Sequence, residues 1–166
     1  MNCNDLDTGR EYALPRGALL LSTTDHERRI AYCNQALIEA SGYTRDELIG
    51  QSAYLLDHSD MPPEVLHDLW ATLDAGTPWS GIVKSRRKNG DHFWVRATIA
   101  PVLEGRYRVG CTIVRTAALR AQVEAADALY AAMRQKATTR CGTIEAAADP
   151  RCTRPSRAIV AGGVKR

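Results

Sequence analysis

The chain has 166 residues, room for one ordinary domain and a tail rather than two full domains. Hydrophobic residues make up 45% and charged residues 25%, the balance of a soluble globular domain, and a net charge of +3 is too small to mark a specific nucleic-acid binder. The five cysteines are odd in number and form no C-x-x-C pair, which speaks against a disulfide framework or structural zinc and for reduced thiols in a cytoplasmic protein.

Along the chain, Ala18 to Leu21 and Ile30 to Cys33 are short apolar runs separated by Thr24-Asp25-His26-Glu27, a turn composition that pairs them as antiparallel strands. Asn34 caps a short helix carrying Ala36, Leu37 and Ala40, which Gly42 ends. Thr44 stands three residues before Glu47, a capping box that opens another short helix. Pro62 and Pro63 then start a helix whose apolar stripe is Leu66, Leu69, Trp70 and Leu73.

From Trp79 the period changes to two. Trp79, Gly81, Val83 and Ser85 alternate with Ser80, Ile82, Lys84 and Arg86, and Asn89-Gly90 supplies a hairpin turn. Phe93, Val95, Ala97 and Ile99 alternate through a second strand, and Val109, Cys111 and Ile113 through a third. The order of two strands, small helices and a three-stranded meander is α+β. Leu119, Val123, Ala126, Tyr130 and Met133 then form a helical seam of the coiled-coil kind.

Charge is unevenly placed along this order. Met1 to Met133 holds 14 Lys and Arg against 17 Asp and Glu, a net of −3, whereas Arg134 to Arg166 holds 8 against 2, a net of +6. No run approaches the roughly 18 consecutive apolar residues of a membrane span, and the N-terminus lacks the pattern of a signal peptide.

Several stretches resemble the PAS domains, and within them the N-terminal flavin-binding domain of bacterial aerotaxis receptors. They are Leu21 to Asp25, Ser41-Gly42-Tyr43-Thr44, His58 with Asp60-Met61-Pro62, Pro78 to Lys84, and above all Arg86 to Ala97. The resemblance implies a five-stranded antiparallel sheet with short helices around a cofactor cleft, FAD in that cleft, and redox sensing that is passed to a partner. The resemblance covers roughly residues 12–117; with the helical seam and the loss of periodicity beyond Lys136 it divides the chain into a cap segment 1–17, a sensor domain 18–117, an amphipathic output helix 118–136 and a disordered basic tail 137–166. It assigns cofactor contacts to Asn34, His58, Asp60, Trp70 and Trp79, with Ser85 near the ring edge where asparagine is common.

The chain departs from the family pattern at Asp57, where an arginine usually precedes His-Pro-Asp, and at Ser59, where proline is usual. An arginine there pairs with a pyrophosphate and an aspartate repels it, so FMN or an empty pocket stays open beside FAD.

Ordinary structural roles compete at each position. Asp60 is placed to cap the helix behind it, Trp70 to fill core, and Asn34 to cap first and touch a cofactor second. Gly81 in mid-strand marks a close approach, by a ligand on the functional reading, and favours Trp79 as a pocket residue. Cys33 and Cys111 read as small core residues rather than reactive thiols.

Two other functions stay open. A haem-binding gas sensor needs an axial histidine; His67 sits at the edge of the apolar stripe and should point away from the pocket, leaving His58. A cofactor-free interaction module would pair through the sheet and the last helix, with a second copy or another signalling protein. No catalytic or metal-ligand spacing appears, so an enzyme is not expected.

Overall fold

The computed structural model describes residues 7–145, with side-chain surroundings given as far as residue 138. The elements run β1 (Leu19–Asp25), β2 (Ile30–Cys33), α1 (Gln35–Ser41), α2 (Arg45–Leu48), a 3-10 turn (Ala53–Leu56), α3 (Pro63–Asp74), β3 (Trp79–Arg86), β4 (His92–Glu104), β5 (Tyr107–Ala117) and α4 (Arg120–Glu145). The five strands form one antiparallel sheet in the order β2-β1-β5-β4-β3, the α+β arrangement expected from the sequence.

Local chemistry accounts for each boundary. Asn34 Oδ1 accepts from the N–H of Leu37 and from that of Leu21, and its Nδ2 donates to the Leu19 carbonyl. One side chain thus caps α1 and ties it to β1. Thr44 and Glu47 form the expected capping box. β1 runs on to Asp25, so the turn to β2 is His26-Glu27-Arg28, held by Asp25 Oδ1 accepting from the N–H groups of Glu27 and Arg29. Arg28 takes φ of 65° there, rare for a non-glycine residue. In the β3–β4 hairpin only Gly90 takes positive φ, at 89°, while Asn89 stays at negative φ and uses its side chain to hold Asp91.

The register gives the sheet two distinct faces. Leu20, Ser22, Trp79, Val83, Ser85, Phe93, Val95, Ile99, Cys111, Ile113 and Arg115 are buried on the inner face, towards α1 and α3. Trp94 lies on the other, where its ring stacks on Tyr130 of α4 at 6.4 Å, and Tyr130 Oη donates to the Ile82 carbonyl at 2.6 Å. Val123, Ala126 and Tyr130 of the helical seam are buried, and Leu119, just before the helix, is 70% exposed. The seam is therefore consumed by the protein's own sheet.

α4 also outlasts the expected end at residue 136, continuing as helix to Glu145, because residues 137–145 contain no proline to stop it, and it runs on through Gly142. The rest of the expected tail, 146–166, lies outside the described residues. Residues to Arg134 form one compact unit and those from Gln135 a second. No described helix is long and apolar enough to cross a membrane.

Replacing Asn34 by Ala removes three hydrogen bonds at once and is expected to lower unfolding free energy by about 1–3 kcal/mol, measured by urea denaturation.

Candidate functional site

Between the 3-10 turn and α3, the chain lies along the free edge of β3. Asp57 bridges Ser85, and the N–H of His58 donates to the Lys84 carbonyl at 3.2 Å. Successive residues of an extended segment point to opposite faces, so Asp57 turns inward with Ser85 and His58 outward with Lys84.

Inward, the sheet presents a polar group set inside an otherwise apolar face. Arg115 is buried and donates from Nη1 to Ser22 Oγ at 3.0 Å. Burial brings its guanidinium down to about 10, partly offset by the charge of Asp57. Burial raises the Asp57 carboxyl to about 6, with Arg115 pulling the other way. The two face one another without a direct ion pair. Arg115 of β5 thus belongs to the same polar set as the acid at position 57.

Trp79 lies at the start of β3, with Nε1 donating to Asp68 of α3 at 3.0 Å. Its indole lies across Gly81, in the space that a Cβ there would need. The close approach expected of a ligand is therefore made by Trp79 itself.

An open cleft of about 540 Å³ lies beside α3, lined by Arg28, Tyr54, Leu66, His67, Trp70 and Asp74 among others. That volume falls within the range of small-molecule sites. Arg28 stacks on the Trp70 ring at 4.2 Å and Arg108 approaches it at 5.6 Å, while Tyr54 meets it edge-on at 5.9 Å. Asp74 receives Arg108 at 2.8 Å and Arg28 at 3.7 Å, so two guanidinium groups share one carboxylate. His67, expected to point away from a pocket, lines this one beside Leu66 and Trp70, since the cleft opens along the edge of the apolar stripe where His67 stands.

Outward, His58 is 3% exposed and meets Lys84, Asp60, His92 and Asp7. Its Nδ1 accepts from the N–H of Asp60 at 3.1 Å, and its Nε2 lies 3.4 Å from Asp7 Oδ2. Burial and then the charge of Lys84 hold both His58 and His92 below the usual imidazole range. Asp60 receives Lys84 Nζ at 2.5 Å; although burial pushes its carboxyl up, that contact leaves it below the ordinary value. Asp60 makes no side-chain cap of α3, whose N-cap is Pro62.

The six residues picked from the sequence therefore divide. Trp79 and Ser85 are on the inner face, Trp70 is at the open cleft, His58 and Asp60 are on the outer side of the edge strand, and Asn34 is engaged with backbone. Sequence reading missed Arg28, Arg108 and Arg115, each an unremarkable basic residue until the fold brings it to Trp70 or Ser22. No local pattern marks them, because tertiary packing alone brings each into place.

A family profile described as the PAS fold matches residues 30–114. The chain is 39% identical over 140 residues to the aerotaxis receptor of Escherichia coli (strain K12), covering 84% of this chain and 28% of the receptor. It is 33% identical over 88 residues to the nitrogen fixation regulatory protein of Klebsiella oxytoca, covering 53% of this chain and 18% of that protein. The chain thus spans less than a third of the length of these curated relatives. Among solved structures, a light-oxygen-voltage domain described with a flavin analogue superposes with a TM-score of 0.58 at 21% identity, over 64% of this chain and 82% of that one. The LOV domain of a blue-light activated histidine kinase from Erythrobacter litoralis gives 0.54 at 18% identity, over 62% of this chain and all of that one.

The raised Asp57 value means that the folded protein keeps a proton which the unfolded chain releases from pH 3.8 upward. Its contribution to stability is full below that pH and is lost as pH rises through about 6. Infrared titration is expected to show one protonated carboxyl band with a midpoint near that pH, absent from Asp57→Asn.

Proposed function

We propose, from the premise that this chain belongs to the PAS fold family, that its cleft binds a flavin nucleotide, FAD by preference, and that the domain reports redox state to a signalling partner. The observation that carries this reading is the cleft at Trp70, where aromatic rings and two guanidinium groups meet in a domain with 39% identity to an aerotaxis receptor. A flavin supplies reversible electron and proton uptake at its ring system.

The residues present suit such a ligand. Trp70 and Tyr54 offer faces and edges for stacking, and Arg28 and Arg108 offer charge to a phosphate or diphosphate. Their shared partner Asp74 leaves the group one positive charge in excess, which compensates for the acid at position 57. Inward, Ser22, Ser85, Asp57 and Arg115 offer donors and acceptors to a polar ring edge. Trp79 would have to leave Gly81 and release Asp68 to admit a ring against the sheet. His58 and Asp60 act through position: they hold the loop along β3 and so orient Asp57.

Output would run through β3. That strand carries Trp79 and Ser85 inward and offers the Ile82 carbonyl to Tyr130 of α4. A displacement of β3 by ligand chemistry therefore reaches α4 through one hydrogen bond and the Trp94–Tyr130 stack. The receiving partner is a second copy or another signalling protein, and the setting is the cytoplasm. A haem reading has one observation in its favour, His67 at the cleft.

Absorption of freshly purified protein, before and after anaerobic dithionite, tests both. Two visible flavin bands that bleach support the proposal; a single Soret band transfers the assignment to haem; a colourless protein that takes up neither FAD nor FMN overturns it. Arg28→Ala and Trp70→Ala are each expected to weaken flavin binding at least about 10-fold, read by fluorescence titration, as loss of a charge-assisted pair or a stacked ring implies. Tyr130→Phe is expected to leave flavin content intact while abolishing any redox-dependent difference in proteolysis of α4.

A further inference from the structure

The chain carries no short-range pattern of metal ligands, yet the fold assembles one. Asp7, His58 and His92 come from the N-terminal segment, the loop before α3 and the start of β4, and one ligand atom from each lies within 4.8 Å of the others. We infer that these three side chains form a binding site for a divalent transition metal, zinc by preference.

One pair of these atoms already stands at the spacing that zinc requires, and the third lies within a small adjustment of it. Ligands about 2.0–2.1 Å from a tetrahedral zinc stand roughly 3.3 Å from one another. His58 Nε2 and Asp7 Oδ2 are 3.4 Å apart. Two imidazoles and one carboxylate make a donor set that suits zinc, with a fourth position left for water. The Asp7 side chain is 48% exposed, which gives an ion a way in and water a place.

A second observation points the same way. His92 is 8% exposed, and its Nδ1 is buried with no hydrogen-bond partner. An unsatisfied buried nitrogen is costly, a penalty that coordination through Nδ1 would remove.

Two features oppose the ion, and neither prevents it. Lys84 brings positive charge, but its Nζ is tied to Asp60 at 2.5 Å and Asp7 adds a carboxylate. His58 Nδ1 accepts from the Asp60 N–H, which puts its ring proton on Nε2. Coordination through Nε2 moves that proton to Nδ1, where Asp60 Oδ2 stands 3.6 Å away to receive it, as carboxylates behind ligating histidines do. The backbone bond of Asp60 is given up in exchange. An ion seated here would clamp the N-terminal segment to the β3–β4 edge.

The test uses the full chain, stripped with chelator and desalted. Titration with cobalt(II) is expected to give one equivalent bound with the visible bands of a four-coordinate site, and zinc to displace it. Zinc is expected to raise the melting temperature of the wild type and not of Asp7→Ala, whose exposed position leaves folding intact. His92→Gln should weaken zinc binding at least about 10-fold by calorimetry, with flavin content unchanged. Absence of a one-to-one zinc complex in the wild type, or unchanged binding in the Asp7→Ala/His92→Gln double variant, would overturn the inference. Neither result bears on the flavin proposal, because the metal is measured directly.

Discussion

The arrangement depends on one short pairing, the two residues that run along the open edge of β3. Asp57 bridging Ser85 and His58 donating to the Lys84 carbonyl fix the register of the loop against the sheet. Because neighbouring residues on an extended segment face opposite ways, this register decides which chemistry goes to which side. An acid enters the interior to meet Arg115, and an imidazole joins Asp7 and His92 on the outside. A slip by one residue would exchange them, burying His58 against Arg115 and exposing Asp57 to Lys84.

The inner face illustrates how a β-domain tolerates polar groups in its core. Arg115, Ser22 and Asp57 are each costly to bury alone, and only one direct hydrogen bond, from Arg115 to Ser22, links them. Arg115 and Asp57 answer each other at a distance, which lowers the penalty without locking the two together. The core around them is formed of Leu20, Phe93, Val95, Ile113 and their neighbours, so the polar set sits in a firm apolar frame. That combination suits recognition of a flat molecule with one polar edge more than it suits stability for its own sake.

Most of the fold was legible because its signals are local. The capping box at Thr44, the cap at Asn34, the glycine-assisted hairpin at Gly90 and the alternation through β3, β4 and β5 each act within a few residues. The family match at Arg86 to Ala97 agreed with the meander that this alternation had located. What escaped was the direction in which site residues point. His58 and Asp60 read as cofactor contacts because their identity fits, but facing is set by edge pairing, which no local pattern carries. Gly81 signalled a close approach correctly and its author incorrectly, since a tryptophan two residues before it on the same face is itself able to cover it. The seam of α4 was visible as periodicity, but periodicity does not say what surface covers it, and the sheet proves to be that surface. Arg28 escaped as one half of an Arg pair in a turn; only the packing of α3 against that turn brings it over Trp70.

The indole of Trp79 over Gly81 bears on how such a domain is made and kept. A protein whose cofactor site is a hollow must be filled promptly or risk collapse, and its production is tied to cofactor supply. Here a resident side chain closes the space itself, anchored by Asp68, so the inner face beside β3 is packed by the chain's own residues. Gly81 is small for the sake of a neighbour two residues away on its own strand, and a larger residue there would have to evict that indole and its bond to α3 together.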